Sequence, residues 1–230
     1  SIYTWNIKDY AGVNPETGES MWWKNTYQLD ENNNLVLDAK GYPIWTGREK
    51  TTSFAEADYY VTEESTVPKW QGGFGTKVRF YGFDLSVNCT YQLGGKTLDA
   101  SYASFMASPS SSLGGRNFHK DLLDAWTPEN STSNIPRFQY GDLYSSGTST
   151  RFLTSSSYLN INNINFGYTF PTSITKKLML NSLRLYVACE NVVYFSARKG
   201  FDPRLSYSSA SNSTTYSPMR TISGGLTVQF

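Results

Sequence analysis

The chain has 230 residues, enough for one sizeable core, and all-β domains commonly reach this length without dividing. It is 16% aromatic and only 17% charged, which together with its many Ser, Thr, Asn and Gly residues favours strands and turns. Its formal net charge of +1 predicts no long-range attraction to nucleic acid, which is therefore not an expected partner. The longest uncharged segment, residues 152–175, is interrupted by Ser, Asn and Thr, so no transmembrane helix is predicted.

The first half of the chain contains the clearest strand signals. A strand is predicted in "SIYTWNIKD", and "WQGGFGTKVRFYGFDLSVNCTYQLGG" alternates apolar and polar residues on both sides of a Tyr-Gly pair. This period of two predicts two strands joined by a two-residue turn. In the resulting hairpin Val78 pairs with Leu85 on the apolar face and Arg79 with Asp84 on the polar face. We expect Arg79 and Asp84 to form an ion pair.

Three further strands are predicted towards the C-terminus. "YLNINNINFGYTFP" changes phase near Asn162-Asn163, which predicts a β-bulge there. "SLRLYVACENVVYF" alternates apolar residues with polar or small ones, and the closing "TISGGLTVQF" places Phe230 on the apolar face. Counting the first segment, the sequence predicts about six membrane-crossing strands.

The links between these strands are short and long in alternation. Residues 10–68, 94–155 and 197–218 form long links rich in Gly, Ser, Asn and Pro. Structureless connections of this length are unusual in a compact soluble domain. They are typical of outer-membrane barrels, which have tight periplasmic turns and large extracellular loops.

The alternation itself is compatible with two folds, because an apolar face against lipid and one against a second sheet look alike in sequence. The apolar face carries no charge, aromatic residues gather near strand ends, and the other face is polar, which favours the barrel. A secreted β-sandwich, acting as a carbohydrate-binding or adhesin module, is the alternative. The sandwich would bury Val78, Leu85, Leu185 and Val228 against a second sheet.

Six stretches, found in order over nearly the whole chain, together resemble the C-terminal barrel region of one family, the SusC/RagA group of TonB-dependent outer-membrane transporters. They are "YAGVNPETGESMWW", "PKWQGGFGTKVRFYGFDLSVNCTYQLGGK", "WTPEN", "SYLNINNINFGYTFP", "LRLYVACENVVYFSARKGFDP" and "RTISGGLTVQF". The sequence departs from the family at Asn160 and Asn162, where the family more often has basic or other polar residues, and this bears on lumen charge rather than on fold.

The resemblance implies an all-β fold, namely about six C-terminal strands of a larger antiparallel transmembrane barrel of about 22 strands with long extracellular loops. Residues 1–230 would be the C-terminal portion of that barrel, and the plug domain, TonB box and signal peptide would be absent from this chain. Six strands cannot close a wide pore, and open edges in hydrocarbon would be costly. The remainder of the same barrel must therefore complete the wall.

The resemblance also implies a function and a set of partners. The family imports large nutrients, glycans, oligosaccharides or peptides, across the outer membrane of Gram-negative bacteria. The implied partners are the remaining barrel and plug, a SusD-like surface lipoprotein, the TonB complex, outer-membrane lipid and the barrel-assembly machinery.

The sequence offers no set of residues suited to catalysis, to a cofactor or to a metal. His119 is its only histidine, and the common nucleophile, phosphate-loop and paired-cysteine motifs are missing, so we expect a protein that is not an enzyme. The polar positions expected to face the barrel interior are Lys77, Arg79, Asp84, Asn88, Arg184 and Glu190.

Loop residues form the second group of candidates. Aromatic rings in the loops could stack on substrate or pack in the loop's own core, and polar loop residues could contact a partner or close their own loops. These candidates are Trp22, Trp23, Tyr27, Trp45, Trp126, Glu129, Asn130, Asp202 and Arg204. Phe230 resembles the terminal aromatic residue that the barrel-assembly machinery reads in outer-membrane barrels, and simple lipid contact is its alternative role.

Overall fold

The computed structural model describes residues 3–111, 117–205 and 217–230. The chain divides into two compact units. One, here called the loop unit, consists of Ser1–Ser65 and Leu98–Leu153, and the other, here called the sheet unit, consists of Thr66–Thr97 and Thr154–Phe230. Within the described ranges, no helix has the length and apolar character needed to cross a membrane.

The loop unit contains two small antiparallel sheets. Strand β1 (Thr4–Lys8) pairs with β5 (Tyr59–Ser65), while β2 (Tyr10–Val13), β3 (Ser20–Tyr27) and β4 (Trp45–Thr51) form a three-stranded sheet in that order. The "SIYTWNIKD" segment is thus a strand, as predicted, but counting it with the large sheet was wrong: it pairs with β5 in the loop unit, and the large sheet has five strands rather than about six.

Short helical elements complete the loop unit. Helix α1 (Ala100–Phe105) begins after Asp99, whose side chain accepts a hydrogen bond from the Tyr102 amide and so caps the helix N-terminus. Single 3₁₀ turns follow at Lys120–Asp124, Pro128–Asn130 and Thr150–Phe152. The first two long links of the sequence are therefore folded structures.

The sheet unit is built on five antiparallel strands. They are β6 (Trp70–Phe80), β7 (Phe83–Leu93), β10 (Tyr158–Thr169), β11 (Ser182–Ser196) and β12 (Thr221–Gln229), in the order β12-β11-β10-β7-β6. Two short strands, β8 (Lys96–Leu98) and β9 (Leu153–Ser155), pair with each other. Between β10 and β11 the chain forms helix α2 (Thr172–Thr175) and a 3₁₀ turn.

The predicted strand registers are confirmed. Val78 lies opposite Leu85 and Arg79 opposite Asp84 in the β6–β7 hairpin. Both turn residues have positive φ, 45° at Tyr81 and 89° at Gly82, as a tight two-residue hairpin turn requires.

The predicted bulge in β10 is also present. The pairing of β10 with both of its neighbours shifts between Ile161 and Asn163. On the β11 side the irregularity includes Asn191, whose φ is 50°. The change of apolar phase in the sequence therefore marks a real change of register.

The apolar face of the five-stranded sheet is not covered by a second sheet. Val78 is 54% exposed, Leu85 37% and Leu185 51%, and Val228 is half-buried. A β-sandwich would bury these side chains in its core. An apolar surface of this extent is instead typical of contact with a membrane or a partner protein. Other large residues exposed on this face are Phe74, Phe80, Phe83, Phe166, Val187, Ile222 and Leu226.

Candidate functional site: the polar sheet face and the loop unit

An ion pair spans three strands on the polar face of the sheet. Arg184 of β11 donates from Nη2 to Asp84 Oδ2 at 2.7 Å and from Nε to Oδ1 at 3.0 Å. Strand β10 runs between them, and its Gly167 lies opposite Asp84 in the register. A Cβ on Gly167 would overlap the Arg184 guanidinium, so glycine is needed here for the side chain to cross the strand.

The predicted partner of Asp84 is therefore wrong. Arg79 lies directly opposite Asp84 in β6, but the structure gives Asp84 a bidentate pair with Arg184 instead. The planar guanidinium matches both carboxylate oxygens, and such two-point pairs are the stronger ones. The residue opposite in the hairpin was the visible sequence neighbour, whereas Arg184 is 100 residues away along the chain.

Positive charge is in excess near the β6–β7 turn. Lys77 and Arg79 line an open groove there together with Asp84 and Arg184. Neither Lys77 nor Arg79 forms an ion pair within the described part of the chain. This end of the polar face therefore presents three cations to one carboxylate, and two of those cations remain free to bind an anionic group.

A ladder of amide side chains continues along the polar face. Asn88 Nδ2 donates to Asn163 Oδ1 at 2.9 Å, and Thr90 Oγ1 donates to Asn162 Oδ1 at 3.0 Å. Asn160 also donates to Asn162. The two positions that depart from the family pattern thus belong to an uncharged hydrogen-bonding row.

Two more polar groups border this row. Glu190 is exposed and lies opposite Asn163 from the β11 side. The Oδ1 atoms of Asn160 and Asn165 are buried and have no hydrogen-bond partner in the described structure. Amides of this kind can bond to peptide groups and to sugar hydroxyls alike.

The aromatic residues of the loop unit have two different environments. Trp22 is only 3% exposed, and its ring meets Phe54 edge-on at 5.1 Å while Phe54 stacks on Tyr144 at 5.0 Å. Trp23 is half-buried below the guanidinium of Arg48, 5.3 Å from its ring. Both tryptophans therefore serve the loop's own core, the structural alternative raised for them.

Tyr27 and Trp45 present accessible rings. They lie opposite each other where β3 and β4 pair, and Trp45 is 60% exposed. Tyr42, a few residues before β4, is also exposed. Of the predicted aromatic contacts, Tyr27 and Trp45 are the two that a ligand or partner could reach.

Two of the stretches that carry the family resemblance meet in the loop unit. The Trp126 indole of "WTPEN" donates to the Pro15 carbonyl of "YAGVNPETGESMWW" at 3.1 Å. Its ring covers Gly18, which has φ of 74° and no room for a Cβ. Trp126 is therefore a structural clamp on the β2–β3 turn.

Arg137 closes the same clamp from the other side. It donates to Asp142 at 2.8 Å and to Glu19 at 3.1 Å, and its backbone amide bonds to the Gly18 carbonyl. Hydrogen bonding to Asp142 is the main cause that raises the pKa of Arg137 above its usual value. No sequence motif had singled out Arg137, because its partners lie far along the chain.

Two further residues of "WTPEN", Glu129 and Asn130, differ in whether they bond within their own turn. Asn130 is tied into its own turn, since its backbone amide bonds to Thr127 Oγ1 at 3.1 Å and its side chain donates to the Asp124 carbonyl at 3.3 Å. Glu129 is exposed on the surface of that turn. Glu129 is thus the exposed charged group of this motif.

Asp202 and Arg204 pair with each other in the sheet unit. Asp202 is 2% exposed and accepts from Arg204 Nε at 2.8 Å and Nη2 at 2.6 Å, while the guanidinium lies 4.7 Å from the Tyr194 ring. Burial raises the pKa of Asp202, but hydrogen bonds from Arg204 and Ser217 outweigh it and hold that pKa below its ordinary range. The geometry is that of a loop-closing pair.

Arg151 is a half-buried cation that no sequence motif indicates. Arg151 packs over Phe152 at 4.9 Å and over Tyr10 at 5.4 Å, and donates to the Ser145 carbonyl at 2.5 Å. Burial lowers the pKa of Arg151, and burial likewise raises that of Tyr10. The lone signal in the sequence is a charged residue beside an aromatic one, which is too common to be diagnostic.

Phe230 follows directly on β12. It is 87% exposed, and the preceding residue, Gln229, pairs with Ser182 at the start of β11. The side chain is therefore accessible to lipid or to another protein.

Comparison with curated proteins yields two relatives from Formosa agariphila. The chain is 27% identical over 200 residues to TonB-dependent receptor P3, which covers 83% of this chain and 19% of the relative. It is 26% identical over 145 residues to TonB-dependent receptor P39, covering 58% and 13%. The chain is similar in sequence to TonB-dependent receptors. It spans about a fifth or less of the length of these relatives, and no protein-family model matches it.

Solved structures show which fold the chain has. The RagAB peptide transporter superposes with a TM-score of 0.74 at 21% identity, covering 99% of this chain and 23% of the solved one. The RagAB peptide importer in its 'closed-closed' state gives 0.71 at 23% identity, with the same coverage. The predicted resemblance to the SusC/RagA type is confirmed, and so is the predicted antiparallel β-barrel segment.

Proposed function

We propose that residues 1–230 are the C-terminal portion of an outer-membrane importer that takes up large nutrients with energy from TonB. The observation that carries this proposal is the exposed apolar face of the sheet, with Val78, Leu85 and Leu185 all uncovered, opposite a hydrogen-bonded polar face. One face suits hydrocarbon and the other a wet lumen. The chain would cross the outer membrane of a Gram-negative bacterium several times, with the remaining barrel strands completing the wall.

The polar face would line the substrate path. Lys77 and Arg79 supply unpaired cations near the turn end, and the Asn88–Asn163 bond marks an uncharged stretch further along. Import then needs weak, repeated hydrogen bonds rather than bond-breaking chemistry, and we infer a transporter without enzymatic activity. Peptides are the first cargo to test, because the similar solved structures are peptide transporters, and glycans or oligosaccharides are the second.

The loop unit would face the cell exterior and meet a SusD-like lipoprotein. Tyr27, Trp45 and Glu129 are its accessible candidate contacts. The lipoprotein would close over the entrance, and TonB would displace the plug domain to release cargo inward. The plug and the TonB box would belong to parts of the protein outside this chain.

Uptake by cells carrying the whole protein tests this function. Fluorescent oligopeptides and oligosaccharides are offered separately, and internal fluorescence is measured with and without a protonophore. We expect one cargo class to accumulate and the protonophore to abolish its accumulation. Accumulation that is insensitive to the protonophore, or cargo cleavage without uptake, would contradict a TonB-driven importer.

A second test addresses the membrane location directly. The complete protein is expected to remain folded in detergent or lipid and to aggregate when these are removed, because its apolar face has no protein partner. A folded monomer in plain buffer would instead support the secreted alternative.

Phe230 offers a test of the assembly step. Barrel-assembly machinery would read this terminal aromatic residue, so Phe230→Ser should lower the amount of receptor in the outer membrane. Gln229→Ala is the matched control at the neighbouring, polar position. If both variants reach normal levels, Phe230 contributes lipid contact alone.

A further inference from the structure

A groove crosses the apolar face of the sheet at the end away from the β6–β7 turn. Leu159 of β10 lies opposite Tyr91 of β7 on one side and opposite Phe195 of β11 on the other, so three neighbouring strands supply one continuous apolar row. Phe74 adds a ring beside Tyr91, at 6.4 Å between centroids. Phe74, Leu159 and Phe195 are all exposed.

A glycine shapes the floor of this groove. Gly72 lies opposite Tyr91, and a Cβ there would stand 3.0 Å from the Tyr91 hydroxyl oxygen. Its absence lets the Tyr91 ring lie over β6 instead of standing upright on the sheet. An open, shallow apolar depression lies between Phe74 and Phe195.

The groove becomes polar towards the C-terminal end of β11. Ser155, Ser157 and Ser196 line it there, together with Ala197. A second depression lies directly beyond, shares Phe195 and Ser196 with the groove, and is lined by Arg198 and Lys199. Lys199 is exposed and forms no ion pair with any residue that the structure describes.

This order of surfaces matches one kind of molecule. An acyl chain can pack on an open apolar depression, sugar and amide groups can bond to serine hydroxyls, and a phosphate binds cationic side chains. A phosphorylated glycolipid carries these three kinds of group in one molecule and in this order. The groove also continues the apolar face that contains Val187 and Leu185.

We propose that the groove binds a phosphorylated glycolipid of the outer leaflet, with one acyl chain between Phe74 and Phe195 and its phosphate on Lys199 and Arg198. This inference rests on the proposed function, since it requires the sheet to cross the outer membrane with its long loops outside. It adds a specific lipid site to a surface that otherwise would contact bulk lipid. The site would hold the rim of the barrel in a defined lipid environment.

The test measures lipids retained by the whole receptor. The purified protein is placed in bilayer discs that contain the phosphorylated glycolipid, its dephosphorylated form or phosphatidylglycerol, and bound lipid is counted by native mass spectrometry. We expect Lys199→Glu to reduce retention of the phosphorylated glycolipid at least about fivefold, because each basic residue near a membrane surface contributes on that scale. Ala197→Trp should fill the groove and remove the bound lipid.

Matched controls keep the outcome decisive. Lys176→Glu reverses an exposed charge in the link between β10 and β11, and Ile222→Trp enlarges an exposed apolar residue on β12, outside the groove. Both should retain the glycolipid as the unmodified receptor does. Heat-modified electrophoretic mobility verifies that each variant barrel is folded.

Three results would overturn the lipid site. They are equal retention of the phosphorylated and dephosphorylated glycolipid, equal loss in the groove and control variants, and full displacement by phosphatidylglycerol. The last two would indicate bulk lipid or an anionic phospholipid as the occupant. Each of them leaves nutrient import intact, whereas a receptor that is folded without any membrane would contradict the proposed function itself.

Discussion

The loop unit and the sheet unit use aromatic and aliphatic residues in opposite ways. The loop unit encloses its rings, with Trp22 packed on Phe54 and Phe54 on Tyr144. The sheet unit presents them outward, as Phe74, Val78 and Phe166 show. Both units contain antiparallel strand pairs. The comparison teaches that alternation specifies a strand, while the surroundings of its apolar face determine whether that face becomes a core or a membrane surface.

The largest expected effect comes from emptying the loop core. Trp22→Ala should destabilise the loop unit by about 3–5 kcal/mol, because truncating a buried aromatic residue loses transfer energy and leaves a cavity. Hydrogen exchange of β3 and β4 in the whole receptor measures it. Trp45→Ala, at an exposed ring, should change the same quantity by less than about 0.5 kcal/mol. Equal effects of the two variants would show that Trp22 is not a core residue.

A charge on the apolar face tests the other half of the comparison. Val187→Lys should make folding into a bilayer less favourable by about 2–4 kcal/mol, since the ammonium would enter hydrocarbon. Ser223→Lys, on the polar face of β12, is the matched control and should cost far less. Urea titration of the receptor in lipid vesicles gives both values. A Val187→Lys cost no larger than the control would remove the lipid-facing assignment.

The clamp on the β2–β3 turn should respond to a single methyl group. Gly18→Ala forces a left-handed conformation and also pushes on the Trp126 ring, whereas Gly41→Ala has the same kind of φ and open space around it. The backbone strain should cost about 1–2 kcal/mol in both variants. The clash should add about 1–3 kcal/mol for Gly18→Ala alone. The two variants are compared by the rate at which a protease cleaves within residues 10–20. Similar rates for both would argue against the clamp.

The smallest expected effect is the pH response of the Asp202–Arg204 pair. Because the pKa of Asp202 is held below its ordinary range, its stabilising contribution is fully present above pH of about 4 and disappears as the pH falls through the lowered pKa. The stability difference between the unmodified receptor and Asp202→Asn should therefore be constant from pH 7 to 5 and shrink at lower pH. Local hydrogen exchange around residues 201–204 reports this difference. A difference that grows on acidification would contradict the sign.

Much of the sheet was predictable from the chain alone. Period-two alternation is a local property, so the β6–β7 register, the bulge near Asn162 and the outward position of Phe230 could be inferred residue by residue. The candidate site was less predictable. Lys77 and Arg79 lie on the polar face as expected, but the partner of Asp84 depends on which strand is third in the sheet.

The environments of the loop residues were even harder to predict from the local sequence. Their aromatic residues looked equally suited to ligand binding and to packing, and the fold buries Trp22 while exposing Trp45. The burial of Trp22 is not visible in the local sequence, because Phe54 reaches it from another loop and Tyr144 stacks on Phe54 from a third. The residue types indicated that aromatic rings matter in the loops, but not which ring packs inside and which stays exposed.

For this protein, the order of polar and apolar residues along the chain was enough to predict the strands and the face on which each side chain lies, and six short stretches carried the resemblance to TonB-dependent receptors. The fold in space was needed to show that Arg184 crosses Gly167 to reach Asp84, and that Trp126 closes on Gly18. The physical reason is distance along the chain. A repeat of two residues is set by neighbouring backbone geometry, whereas ion pairs and loop clamps depend on segments that meet after folding.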